Sequence, residues 1–338
     1  MTARLFPNSQ WRRLAAALVG VAVLGGCGQG ARSADKPDRL VTLPDGRELN
    51  LRCTGSGTPT VLLESGYGAG AFAWGKVQPR LSRTTRVCAY DRASYGFSPP
   101  GPIPRDGAAI ARDIDAALDA AGESGPFVLV GHSAGGLYVR LLAARRPSEV
   151  AGLVLVDPSV EQIVPSTLDG LNGIRRRLAR CRGAAEANPP PPNDDPAWAA
   201  CGAGARRDAL VWDNRLSELD SIFSRTSMQV GRLGELLADV PLYVLTASDT
   251  AQAAPTIGLD KPQSVLELQH LRIALSSRRG FQRTVLSSHL LMNDRPEVVT
   301  EAVLAMVEAT RSKTKPPPLS PSETTAGPDA PAFPDAPR

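Results

Sequence analysis

A mainly parallel α/β sheet with helices on both faces is the architecture this sequence predicts, and three observations carry it. Short apolar runs alternate with segments of helical spacing through most of the chain. One such run, Phe127 to Val130, passes through a glycine-rich turn directly into a helical segment. Residues capable of chemistry fall just beyond candidate strands, the rim on which sheets of this kind bind ligands.

Taken in order, Arg39 to Leu43 and Arg47 to Cys53 flank Pro44-Asp45-Gly46, a turn signal, so a β-hairpin is expected at one edge. Thr60 to Glu64 is a buried strand running into the loop Ser65-Gly66-Tyr67-Gly68-Ala69-Gly70, then a helix near Trp74 to Leu81. Arg86 to Tyr90 is the next strand, and Ala108 to Ala121 has helical spacing through Ile110, Ile114 and Leu118. After the strand–turn–helix at 127–145 comes a strand at Gly152 to Val156 ending in Asp157. From 159 to 238 no clean strand appears, and the stretch reads as a mostly helical insertion. A strand at Pro241 to Thr246 leads to a loop carrying Asp249. A helix at Gln263 to Ala274, a last strand at Gln282 to Leu286 and a helix at Val298 to Val307 complete the domain, with Pro296 in the closing helix's first turn.

The turn at the centre is Gly131-His132-Ser133-Ala134-Gly135, a G-x-S-x-G pattern. Between a strand and a helix it makes a nucleophile elbow: the serine is held in a strained backbone, and the flanking glycines leave room for neighbouring chain. A serine hydroxyl needs a base within hydrogen-bond reach and a third group to orient that base. Of the three histidines, His132 adjoins the serine and His270 sits inside a helical segment. His289 follows the last strand, where a Ser…Asp…His order requires the base. Two carboxylates satisfy that order. Asp249 is the preferred acid, and Asp157, one strand earlier, is the alternative. The expected oxyanion donors are the main-chain N–H groups of Ala134 and of Tyr67 in the glycine-rich loop.

The N-terminus reads as an address rather than fold. Arg4, Arg12 and Arg13 precede an apolar run from Leu14 to Leu24, which ends in Gly25-Gly26-Cys27. This resembles the bacterial lipobox, so residues 1–26 are expected to be a lipoprotein signal peptide, with Cys27 the lipidated residue of an exported, membrane-anchored chain. Residues 27–38 would be a tether, 39–312 the folded domain, and 313–338 a disordered proline-rich tail. Four cysteines remain, an even number suited to disulfides in an exported protein. Three pairings are possible; Cys53 with Cys88 and Cys181 with Cys201 is preferred, because the first two lie at ends of candidate strands in the first half and the last two bracket one mid-chain segment. A net charge of +4, without a long basic run, argues against nucleic acid. No metal or cofactor is expected.

Together these residues resemble the α/β-hydrolase superfamily. The resemblance rests on Gly131-His132-Ser133-Ala134-Gly135-Gly136, on Asp91-Arg92-Ala93-Ser94-Tyr95-Gly96-Phe97-Ser98, on Leu153 to Asp157, and on Ser288-His289 ahead of Asp294-Arg295-Pro296. It covers roughly residues 40–310 and implies an eight-stranded sheet, a lid after the sixth strand, and acyl chemistry through a serine acyl-enzyme. Two departures stand out: Ser94, where relatives carry glycine, and Glu64-Ser65-Gly66, where many have His-Gly. A serine nucleophile argues against a haloalkane dehalogenase or epoxide hydrolase. The expected activity is a serine hydrolase acting on a small-molecule ester or acyl substrate. The rivals are an acyltransferase or peptidase with the same triad, and a non-catalytic binding protein on the same fold.

Overall fold

The computed structural model describes residues 36–161, 168–192, 195–199, 201, 208–254, 256–257 and 263–318. The signal peptide, Cys27 and nearly all of the tether lie outside the described residues, as does the tail from 319 on. Residues 313–318 are described: Pro316 is buried, and the Tyr243 hydroxyl donates to the Pro317 carbonyl. Among the described residues, no helix is long and apolar enough to cross a membrane.

Strands β1 (Leu40–Thr42), β2 (Glu48–Thr54), β3 (Thr60–Glu64), β4 (Val87–Tyr90), β5 (Phe127–His132), β6 (Val150–Val156), β7 (Leu242–Ala247) and β10 (Gly280–Val285) form one sheet in the order β1-β2-β4-β3-β5-β6-β7-β10. From β4 to β10 every pairing is parallel; β1 and β2 form the antiparallel edge. Their turn closes through Leu43 N–H to the Arg47 carbonyl at 2.7 Å, with Gly46 at φ +82°. A separate two-stranded pair, β8 (Thr256–Ile257) and β9 (Gln263–Ser264), takes the first residues of the segment expected to be helical.

Alternation along each strand divides the core. Leu62, Leu129, Leu153 and Leu155 face α1 (Gly107–Ala121) and α2 (Gly135–Arg145), while Val61, Val128, Val130 and Val154 face the other side. There they meet Trp74 and the apolar stripe Val299, Val303 and Met306 of the last helix. Asp106 caps α1 by accepting from the Ala109 N–H at 2.9 Å, and Gly122 ends it in the left-handed region.

Between β6 and β7 the described chain is helical: α3 (Leu168–Glu186), a short turn at Pro196–Ala199, α4 (Ala209–Ser221), and irregular helical turns to Leu237. This segment has its own apolar cluster around Leu171, Leu178, Trp198, Trp212 and Leu219, closed by the Cys181–Cys201 disulfide. Cys53–Cys88 joins the neighbouring strands β2 and β4. Beyond β7 come α5 (Val265–Leu275), β10 and α6 (Pro296–Ser312), with Pro296 in the first turn of α6.

Candidate active site

Ser133 sits between β5 and α2 with φ +51°, the left-handed conformation that marks a strained elbow. The flanking glycines are there for space. A Cβ on Gly131 would lie 2.6 Å from the Gly135 carbonyl oxygen, and one on Gly135 would lie 2.6 Å from the Glu64 carbonyl oxygen. The Ser133 N–H donates to the Val156 carbonyl at 3.1 Å, and its own carbonyl accepts from Ser159 N–H at 2.9 Å. The elbow is thus fastened to the C-terminal end of β6.

That strand end delivers the carboxylate. His289 Nδ1 lies 2.6 Å from Asp157 Oδ2. The preference for Asp249 over Asp157 as the partner of His289 is therefore corrected. Asp157 is buried with φ +44°, and it also accepts from Ala247 N–H at 2.9 Å and Thr250 Oγ1 at 2.8 Å. Asp249 is exposed. It lies in the first turn of a short helix, Ser248–Ala253, where its carboxylate accepts from Ser248 Oγ at 3.2 Å. The physical difference is local: the left-handed turn at Asp157 and its two donors hold a buried carboxylate against His289, while Asp249 is carried into an exposed helical turn.

Electrostatics support the same pairing. Burial alone would raise the Asp157 pKa, but the His289 hydrogen bond, the charge of that imidazole and the nearby His270 bring it below the ordinary value. An ionised Asp157 requires the proton of His289 on Nδ1, which leaves the Nε2 lone pair available as a base.

The other two histidines are structural. His132 Nε2 donates to the His289 carbonyl at 2.9 Å, and the two rings lie 4.6 Å apart. His132 thereby ties the main chain of His289 to the elbow, a role its position beside the serine did not reveal. Burial, helped by the nearby His289, pushes its pKa down to about 3, so it stays neutral. His270 is fully buried in α5 between Thr246 Oγ1 at 2.9 Å and the Pro158 carbonyl at 2.8 Å. Asp294 shapes the loop that carries His289 by accepting from Ser288 N–H at 3.2 Å and Ser288 Oγ at 2.5 Å.

The glycine-rich loop lies against the elbow. A Cβ on Gly66 would come within 3.0 Å of Ser133 Cβ and 2.9 Å of His132 Nδ1. The loop can approach the elbow this closely because residue 66 is glycine. Among the described residues, neither the Tyr67 N–H nor the Ala134 N–H has a main-chain acceptor. The Tyr67 hydroxyl donates to the Arg215 carbonyl of α4 at 3.0 Å, so its side chain is turned to the lid.

Sequence reading did not foresee the ionic cluster beneath this loop. Glu64, Arg92 and Glu218 are each at most 3% exposed. Arg92 bonds Glu64 at 2.5 Å and Glu218 at 3.0 Å, Tyr90 donates to Glu64, and Tyr138 donates to Glu218 at 3.0 Å. Burial pushes the Glu64 pKa up to about 7 against the opposing pull of Arg92. Ser94, the position at which the family resemblance implies glycine, has φ +71°, a left-handed geometry that glycine adopts without strain. Its carbonyl accepts from Arg215 Nη2 at 2.9 Å.

The model of the alpha/beta hydrolase family matches residues 61–302, well over half of the chain. The chain belongs to the alpha/beta hydrolase family. An uncharacterized Bacillus subtilis protein, YqjL, is 28% identical over 252 residues, covering 74% of this chain and 83% of its own. Relatives from Hormonema carpetanum and Schizosaccharomyces pombe match at 35% and 44% identity, but the matches span only 16% and 15% of their lengths. Among solved structures, a thermophilic esterase from Thermogutta terrifontis superposes with a TM-score of 0.58 at 20% identity, covering 80% of this chain and 98% of the esterase. The enol-lactonase from Burkholderia xenovorans LB400 gives 0.59 at 17% identity, covering 80% and 100%. At such identities the superpositions speak for the fold. The eight-stranded, mostly parallel alpha/beta hydrolase sheet expected from the sequence is the one observed.

Proposed function

We propose that this hydrolase-family chain is a serine hydrolase that cleaves carboxylic esters, with Ser133 as nucleophile, His289 as general base and Asp157 as the acid that orients it. The observation that carries the reading is the 2.6 Å contact between His289 Nδ1 and the buried Asp157 carboxylate, on the rim where Ser133 is held at φ +51°. In the reaction, Ser133 Oγ attacks the acyl carbon and His289 Nε2 takes its proton. The same proton then goes to the leaving alcohol. The N–H groups of Tyr67 and Ala134 receive the oxyanion, each worth roughly 3 kcal/mol in the transition state. Water, deprotonated by His289, releases the acid and frees the serine. Asp157 stays ionised throughout and stabilises the imidazolium.

The test pairs a fluorophosphonate probe with turnover of p-nitrophenyl esters of increasing chain length. The probe is expected to label Ser133 at neutral pH. Ser133→Ala should lower turnover by about 10⁶ with the fold intact. Absence of both labelling and turnover in the wild type would leave a binding protein on a hydrolase fold. Turnover that proceeds only with an added amine or alcohol acceptor would favour acyl transfer instead.

A further inference from the structure

We propose that Arg92 is a positioning residue that aims the Tyr67 N–H at the oxyanion, and that Glu218 of the lid helix α4 holds Arg92 in place. The inference rests on the hydrolase reading above and adds what sets the hole's geometry.

It starts from the fork of a single guanidinium. Arg92 Nη1 donates to the Ser65 carbonyl at 2.7 Å, and Nη2 donates to the Gly66 carbonyl at 2.9 Å. A trans peptide is planar, with its C=O and its N–H pointing in opposite directions. Holding the Gly66 carbonyl toward Arg92 therefore turns the Tyr67 N–H, the other end of the same peptide, away from Arg92. The elbow packs closely against this loop, with the Gly66 Cβ position 3.0 Å from Ser133 Cβ. A lysine could not do the same work, since an ammonium is a point charge without the fork.

Arg92 is itself held from two sides. Glu64, at the end of β3, accepts from Nη1, and Glu218, from α4, accepts from Nη2. Glu218 Oε1 also accepts from the Tyr138 hydroxyl on α2, the helix that follows the elbow. One lid carboxylate thus links the guanidinium, the elbow's helix and the lid. The lid grips the neighbourhood twice more, through the Tyr67 hydroxyl to the Arg215 carbonyl at 3.0 Å and through Arg215 Nη2 to the Ser94 carbonyl at 2.9 Å. A lid helix that moved away would take Glu218 with it and leave Arg92, which holds the loop's carbonyls, anchored by Glu64 alone. The oxyanion donor is therefore coupled to the seating of α4.

The experiment compares wild type, Arg92→Lys and Glu218→Gln for kcat and KM on p-nitrophenyl acetate, fluorophosphonate labelling, Tm, and affinity for an aryl trifluoromethyl ketone. The ketone forms a tetrahedral adduct on the serine and so reports the oxyanion site directly. Arg92→Lys is expected to lower kcat by about 100-fold with KM within about threefold, and to weaken the ketone adduct in parallel. Glu218→Gln keeps an acceptor for Arg92 and Tyr138 but loses the charge, and is expected to cost about tenfold in kcat and in adduct affinity. A folded Arg92→Lys with wild-type kcat and adduct affinity overturns the proposal, as does a fall in Tm alone. Should Arg92→Lys not fold, wild-type values for Glu218→Gln overturn it equally. A wild type that is neither labelled nor active overturns the hydrolase reading itself, an outcome distinct from a labelled, active wild type with unaffected variants.

Discussion

The strand-end rim and the helical lid are built on different principles. On the rim, Ser133, Asp157 and His289 follow strands whose order and register place them by main-chain hydrogen bonds, and Asp157 N–H is fixed to the Leu245 carbonyl at 2.7 Å. In the lid, α3 and α4 pack on a small apolar cluster of their own and reach the rim through side chains such as Arg215 and Glu218. The proposed reacting groups thus sit on the main-chain-fixed part, while the helical segment meets them through side-chain contacts. In the proposed reading the rim carries the reacting groups, and the helical segment, through Glu218 and Arg92, bears on how the glycine-rich loop is held.

The largest effect expected on the lid alone comes from its disulfide. Replacing Cys181 and Cys201 together by serine opens a bridge spanning 20 residues, worth about 3 kcal/mol by loop closure. Hydrogen exchange should then accelerate in α3 and α4 while the amides of β5, β6 and β7 keep their protection. Equal acceleration in sheet and lid would erase the distinction between the two regions.

A smaller effect probes the rim through acid. His132 is neutral when folded, with a pKa of about 3 against 6.5 in the unfolded chain. Between those values the unfolded chain binds the extra proton, so His132's contribution is complete above pH 6.5 and is lost as pH falls. From pH 6.5 to 5 the loss is about 2 kcal/mol. Buried His270 acts with the same sign. Glu64, raised to about 7 from 4.5, acts with the opposite sign, stabilising at low pH and less so as pH rises. The difference between wild type and His132→Gln isolates one group from the rest. Measured by urea unfolding, that difference should shift by about 2 kcal/mol over the window. A constant difference would mean that the His132 ring is hydrated in the folded chain.

The elbow was readable because its glycines record a steric need: no side chain fits at Gly131 or Gly135, so the pattern is forced by contact distances. His289 was readable because histidines are few and chain order leaves it alone after the last strand. The acid was not settled by order, since Asp157 and Asp249 both follow strands. What separates them is the left-handed turn at Asp157, φ +44°, and the Ala247 and Thr250 donors that hold its buried carboxylate, while Asp249 is exposed. One local signal was present: Ser248-Asp249 is the kind of polar, acidic opening that suits a first helical turn. The Glu64–Arg92–Glu218 cluster joins residues up to 154 positions apart in sequence, and no periodicity encodes such a meeting. Lid helices could be recognised by their spacing, but how they dock depends on side chains meeting across the site.

The account stands most directly on the carboxylate that reaches His289. Asp157→Asn and Asp249→Asn, compared at equal folded concentration on a p-nitrophenyl ester, measure it. The account predicts a fall in kcat of about 10⁴ for Asp157→Asn and a rate within about twofold of wild type for the exposed Asp249→Asn. A large loss at Asp249 with activity retained at Asp157 would contradict it.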